Sequence, residues 1–391
     1  MSTLPHKTRP TILIVLIAGI GDMVLGSAGI RAVRNGYPDA EIHLLTSTEA
    51  STLAMNYKYV DYVHTFPIRE LRRDKKYLFD IFRLIRGLGK IRFDLVLNLY
   101  MVASLYGAVK MGLLFLCLSA DAKIGHDDHG FGLFLTKKAP GDTFKNRHFA
   151  DAMMDLARLA GGIPDDRGIE VFWDRRIEEK WASLFSYDKA PEKDLKIAIN
   201  PGGDRENRRW RPEYYAEVAD RIMERFPARL FLLGGPGEEA IAREIEGKMG
   251  HSTLNLSGQL SLNDLTYLIS RFDLLITNDS GPMHIAAATG TPVVAIFGPE
   301  NPMHLRPYTR EALYRVVYKD VPCRPCSKSF CEKPICLSEI MPDDVFNAGA
   351  ELLDTTRGIQ YEERIRSVTG SISLNGEKNA IGAVRRLRGH S

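Results

Sequence analysis

The chain has 391 residues, 45% of them hydrophobic and 26% charged, and a net charge of +3. That length exceeds one ordinary core, so two domains are expected; the composition excludes a disordered chain, and the near-neutral charge excludes bulk nucleic-acid binding. Met1–Pro10 is polar, and the apolar run after it is short and closes directly on Gly21 and Asp22, which reads as a first buried strand rather than a secretory leader. A cytoplasmic protein is therefore expected.

Ile12–Ile17 is apolar without alternation, the mark of a parallel strand covered on both faces. A glycine turn at Gly19–Asp22 and a helix through Arg34 follow, then a turn at Tyr37–Asp39 and a strand at Glu41–Thr46. Val60–Phe66 and Phe93–Leu99 are further strands, with a helix over Leu78–Leu88 between them. Met101–Ala120 is apolar around Lys110 and reads as a buried or packed helix, because a membrane span needs about 20 mostly apolar residues. The pattern restarts after a charged stretch at Tyr187–Asp194. Leu195–Asn200 is a strand ending in Pro201–Gly203, and Arg211–Phe226 a helix. Ala228–Leu233 is a strand ending in Gly234–Gly237, with a helix from Glu238. Leu262–Arg271 is a helix capped by Ser261 with Asp264 three residues on. Asp273–Thr277, Pro282–Thr289 and Pro292–Phe297 complete a strand, helix, strand. The alternation specifies α/β architecture in two Rossmann-like, doubly wound domains, 1–188 and 189–356, with a basic tail over 357–391. Ligands of such sheets bind beyond the carboxyl ends of the strands, so a site is expected in a cleft where the two domains face each other.

The strongest constellation is Thr277–His284, reading TNDSGPMH. A buried strand ends and a helix begins at once, with Asp279 or Ser280 as cap and Pro282 in the first turn. Its open N–H groups and positive dipole end suit a pyrophosphate, and Ser280 and His284 lie on the same stretch. The bland reading is a structural cap with a core histidine. Three glycine loops at neighbouring strand ends favour the ligand reading: Asn200–Gly203 with Gly202 and Gly203, Gly234–Gly237 with Gly235, and Phe297–Pro299. Arg205, Arg208 and Arg209 follow the first loop, and an arginine fork matches phosphate oxygens.

The strings NPGG, RRWRPEYYAEVADRI, LFLLGGPGE and LITNDSGPMHIAAATGTPVVAIFGP, with ILIVLIAGIGDMVLGSAGIRAVRNGYPDAEIHLLT near the start, resemble glycosyltransferase family 9, the ADP-heptose:lipopolysaccharide heptosyltransferases. The resemblance covers about Thr11–Val345. It implies a GT-B fold and an inverting transfer, without a metal, from a nucleotide-diphosphate sugar to a lipid-linked saccharide. Asp279, Ser280, Gly281 and His284 match the segment that holds the donor diphosphate. Arg208 falls where the family carries a basic residue, and Glu238 matches an acidic position at the nucleoside or ribose. The family places its general base at the Gly-Asp of Gly21–Asp22; a carboxylate in reach of the acceptor hydroxyl can take its proton, and the alternative for Asp22 is an N-cap. The third glycine of a dinucleotide fingerprint fails, because position 24 is Val24. Where the family has a proline further along this helix, the chain has Ala28 and Gly29.

Arg69–Arg92 holds nine basic residues against three acids, interleaved with Leu78, Phe79, Phe82, Leu84 and Ile85. Such a helix can lie peripherally on an anionic membrane, meet an acidic acceptor glycan, or be a solvated face. Cys323, Cys326, Cys331 and Cys336 form a compact cluster that could bind a structural zinc or stay as thiols buried in a loop, with no part in transfer. The alternatives to heptosyl transfer are a GT-B transferase with another nucleotide-sugar, a non-hydrolysing sugar-nucleotide epimerase, and a non-catalytic nucleotide- or glycan-binding protein.

Overall fold

Strands that read as unbroken apolar runs are buried on both faces: five of six residues of the first strand are inaccessible, as is the whole of Leu274–Asn278. The computed structural model describes residues 9–140 except 103, 147–185, 194–326 except 204, 328, and 330–356; of Arg72 and Pro140 only the backbone is described. The chain divides into two units after Arg167.

The first unit runs β1 Thr11–Leu16, α1 Ile20–Gly36, β2 Glu41–Ser47, α2 Thr48–Ala54, β3 Tyr62–Phe66, α3 Ile68–Arg73, α4 Tyr77–Leu88, β4 Arg92–Asn98, α5 Leu105–Leu116, β5 Ser119–Asp127, β6 Lys137–Pro140 and α6 Phe149–Leu159. Its parallel sheet has the order β3-β2-β1-β4-β5-β6. α1 and α6 pack together. Gly29 lets them approach closely, since a Cβ there would stand a tight 3.3 Å from the Met153 carbonyl oxygen of α6. The buried Arg31 of α1 grips Asp165 just beyond α6, with Nη2 to Oδ1 at 2.7 Å. Burial alone would raise the Asp165 pKa, but Arg31 and Arg167 outweigh it and hold the carboxyl well below the usual range.

The second unit runs α7 Arg176–Phe185, β7 Leu195–Asn200, α8 Pro212–Arg225, β8 Ala228–Leu232, α9 Glu239–Lys248, β9 Leu254–Asn255, α10 Leu262–Arg271, β10 Leu274–Asn278, α11 Gly281–Thr289, β11 Val293–Ile296, α12 Pro302–Leu305, β12 Tyr314–Val317, α13 Ile335–Ser338 and α14 Pro342–Thr356. Its parallel sheet, β12-β11-β10-β7-β8-β9, repeats the first unit's order. Its core is built from Ile197, Ile199, Trp210, Tyr215, Ile276 and Ile296 among others.

Two expectations change. Residues 187–193 of the expected boundary lie outside the described set, and the second unit already begins at Gly168. Its first helix, α7, is fastened to α10: Lys180 and Trp181 both donate to Asp264 Oδ1, at 2.8 and 2.7 Å. The apolar stretch Met101–Ala120 is a shorter helix, α5, that ends at Leu116 and leads into β5. It is packed on one side only, with Leu105, Val109, Leu113 and Leu116 exposed. The tail over 357–391 lies outside the described residues.

Candidate active site

In each sheet the strand order reverses between two central neighbours, β1 and β4 in the first unit, β7 and β10 in the second. Loops leaving the carboxyl ends of such strands are where doubly wound sheets hold ligands.

In the second unit, β10 ends on the fully buried Asn278. Its side-chain oxygen accepts from Trp210 N at 3.0 Å and from the Tyr215 hydroxyl at 2.9 Å. Its amide nitrogen donates to the carbonyls of Pro201 at 2.7 Å and Gly202 at 3.0 Å. Burial pushes the Tyr215 phenol far above its ordinary pKa, so it stays protonated and donates. One amide thus ties the β10 end to the β7 loop and to the entry of α8. Sequence reasoning placed Asn278 in the segment without giving it a role.

The next three residues turn the chain into α11. Asp279 N donates to the Ile296 carbonyl at 2.9 Å. Ser280 is the N-cap residue with extended backbone, and Pro282 occupies the first turn. The Ser280 hydroxyl makes no cap bond; it meets the Thr277 hydroxyl at 3.2 Å. Met283–Thr289 are buried, His284 among them, so the helix is seated in the core with its positive end at the strand edge.

Arg208 stands beside this terminus. Its Nη1 is 3.4 Å from Asp279 Oδ2, and its Nη2 donates to Glu300 Oε1. Arg205 Nη1 lies 3.6 Å from the same Glu300 oxygen. The arginine side chain is 20% exposed and Asp279 3%, so this pairing is little screened by water. Sequence reasoning did not find Glu300, which follows the third glycine loop.

Glu238 is engaged through both oxygens, accepting from Gly203 N and Gly235 N at 2.8 Å each. It pins the first two glycine loops together. Gly202 has no room for a side chain, because a Cβ would stand 2.1 Å from that carboxylate. Arg209 donates to the Gly203 carbonyl at 2.7 and 2.9 Å.

In the first unit, β1 runs into a turn whose Ala18 carbonyl accepts from Ser47 Oγ at 2.8 Å. Gly19 caps α1, and Asp22 lies in the first turn rather than at the cap. Its Oδ2 accepts from Gly19 N at 3.2 Å, the acidic half of a capping box. Asp22 is half-buried at the carboxyl edge of the sheet.

The four cysteines line one small recess with Asn207 and Arg324. All are thiols, and Cys336 is buried, which pushes its pKa up. Among the described residues no three His, Cys, Asp or Glu side chains are grouped to hold a metal ion. The cysteine loop leans on the loops at the ends of β7 and β11: Cys326 N donates to the Pro299 carbonyl at 3.0 Å, Arg324 Nη2 to the Phe297 carbonyl at 2.9 Å, and Asn207 Nδ2 to the Lys328 carbonyl.

The model of glycosyltransferase family 9 (heptosyltransferase) matches residues 81–335. The chain is similar to the lipopolysaccharide core heptosyltransferase OpsX of Haemophilus influenzae, 26% identical over 341 residues, which are 83% of this chain and 89% of that one. Solved structures share the fold. The glycosyl transferase family 9 protein of Veillonella parvula gives a TM-score of 0.72 at 24% identity, over 88% of this chain and 97% of that one. The ADP-heptose lps heptosyltransferase II of E. coli gives 0.68 at 21% identity, over 89% and 100%.

Proposed function

The chain belongs to glycosyltransferase family 9, and from that premise we propose that it transfers heptose from ADP-heptose to a saccharide of the lipopolysaccharide core, with inversion at the anomeric carbon. The observation that carries the donor reading is the grouping of Arg208, the first turn of α11 and the glycine loops pinned by Glu238 around the ends of β7 and β10. A diphosphate there meets backbone N–H groups, a helix dipole and a guanidinium fork. Arg208 exchanges Glu300 for phosphate oxygens as the donor enters. In the reaction the acceptor hydroxyl oxygen attacks the anomeric carbon, Asp22 takes its proton, and the bond to the diphosphate breaks. Arg208, Arg205 and the α11 terminus receive the negative charge of the leaving group, the part a divalent ion would otherwise play. Transfer is therefore expected to proceed unchanged in EDTA. The acceptor is lipid-linked, which puts the enzyme to work at the cytoplasmic face of a membrane.

The reading is tested with Asp22→Asn. Turnover is expected to fall about 10²–10⁴-fold, while calorimetry shows ADP affinity unchanged. Retained turnover would leave Asp22 as a helix-capping residue only. Calorimetry with ADP, UDP and GDP decides the nucleoside, since the α11 terminus recognises any diphosphate; preference for UDP or GDP would replace ADP-heptose by another donor.

A further inference from the structure

The outer faces of α4 and α5 expose far more apolar side chain than isolated surface residues would. On α5, Leu105, Val109, Leu113 and Leu116 recur on one face and are between 53% and 77% exposed. Its opposite side, Ala108, Met111, Leu114 and Phe115, fills the core. On α4, Leu78, Phe79 and Phe82 are between 54% and 69% exposed. The two helices are neighbours. Both pack on the same hydrophobic cluster, and at the α4 C-terminus a Cβ on Gly89 would come within 2.8 Å of the Cys117 carbonyl oxygen at the end of α5. Exposed cations accompany the apolar residues: Arg73, Lys75, Arg83, Arg86, Lys90 and Lys110. Lys110 lies 3.8 Å over the Tyr106 ring.

We propose that α4 and α5 form one docking face that seats this protein on an anionic bilayer, with the leucines and phenylalanines entering the acyl boundary and the cations meeting headgroups. An apolar stripe beside Lys and Arg is the composition of helices that lie in a membrane interface. Among the described residues no helix is long and apolar enough to cross a membrane, so the face lies on the bilayer rather than through it. A second copy of the chain is disfavoured as occupant, because it would bring the same positive charges against each other. α5 also begins just beyond the carboxyl end of β4, the strand paired with β1. Its first turn therefore stands at the sheet edge that carries Asp22, where a lipid-linked acceptor is presented. The inference does not depend on the donor reading, since vesicle binding is measured without donor or acceptor.

Flotation of the full chain with phosphatidylglycerol–phosphatidylethanolamine vesicles, against phosphatidylcholine vesicles, is the test. The protein is expected to float with the anionic vesicles. Leu113→Ser/Leu116→Ser, both at exposed positions, should weaken partitioning about tenfold or more while ADP affinity and circular dichroism stay unchanged. Arg83→Glu/Arg86→Glu should weaken binding to anionic vesicles about tenfold and abolish the preference for them. The proposal is overturned if the wild-type chain stays at the bottom of the gradient, or if both variants float as it does. It is also overturned if sedimentation velocity shows the leucine variant converting a dimer to a monomer without changing flotation.

Discussion

Asn278 shows how much of the second unit's loop framework rests on one amide. It makes four hydrogen bonds inside a region closed to water, to groups 63 to 77 residues away in the chain. Asn278→Ala would leave the Tyr215 hydroxyl and the Trp210 N–H buried without their acceptor, at about 1–3 kcal/mol each. Urea denaturation followed by tryptophan emission should show a loss of at least about 2 kcal/mol, with ADP binding weakened because the β7 loop is no longer held. Asn278→Asp keeps the acceptor but sets a carboxylate against the Pro201 and Gly202 carbonyls, so it should not rescue. An unchanged denaturation midpoint in both variants would remove Asn278 from the site's framework. None of this was legible in sequence, where Asn278 is only a polar residue ending an apolar strand. The Ser261–Asp264 capping box was legible because its partners are three residues apart, and Ser261 does accept from Asp264 N at 3.2 Å.

At the scale of elements, the alternation of apolar runs with helical periods located the central strands of both sheets, because strands buried on both faces have a distinctive composition. It found the edge strand β3 but missed β5, β6, β9 and β12. β5 is polar and buried only over Ile124–His126, so no apolar run marks it. The exposed side of α5 is not marked either, because an apolar face looks the same in sequence whether or not protein covers it. The relation of the cysteine loop to the loop after β11 was equally hidden, since it rests on long-range contacts, Arg324 among them. That side chain donates to the Phe297 and Gly298 carbonyls and lies 5.0 Å from the Tyr318 ring centroid. With Cys326 N, it ties the cysteine recess to the end of β11. Arg324→Met removes the side-chain tie but keeps most of the aliphatic bulk. ADP binding is expected to weaken about tenfold in calorimetry, for the loss of roughly 1–2 kcal/mol of loop order. ADP affinity equal to wild type would show that the Arg324 tie does not support the site.

Over the whole molecule, acid should act on the two units unequally. Burial holds His64 and His126 near a pKa of about 4, His43 adding to the effect on His64, and burial lowers His43 as well. All three lie in the first unit. A histidine kept neutral in the fold stabilises it above the unfolded pKa of 6.5, and that contribution is lost as pH falls from 6.5 through about 4. Each of the two larger shifts is worth roughly 3 kcal/mol at most. Asp128, raised to about 6 by burial, runs the other way and offsets about one histidine over the lower part of that window. The balance still destabilises the first unit by roughly 3 kcal/mol. In the second unit, Asp264 is held near 2 by Lys180, Ser261 and Trp181 against the opposing effect of burial, so its contribution survives until well below this window. The chain reports the difference itself, because its three tryptophans, Trp173, Trp181 and Trp210, all lie in the second unit. On acid titration from pH 7 to pH 4, far-ultraviolet ellipticity should fall while tryptophan emission holds, and His64→Gln should move the ellipticity loss to lower pH. Coincident loss by both probes would mean that the units unfold as one and that the first unit's histidines do not set its acid limit.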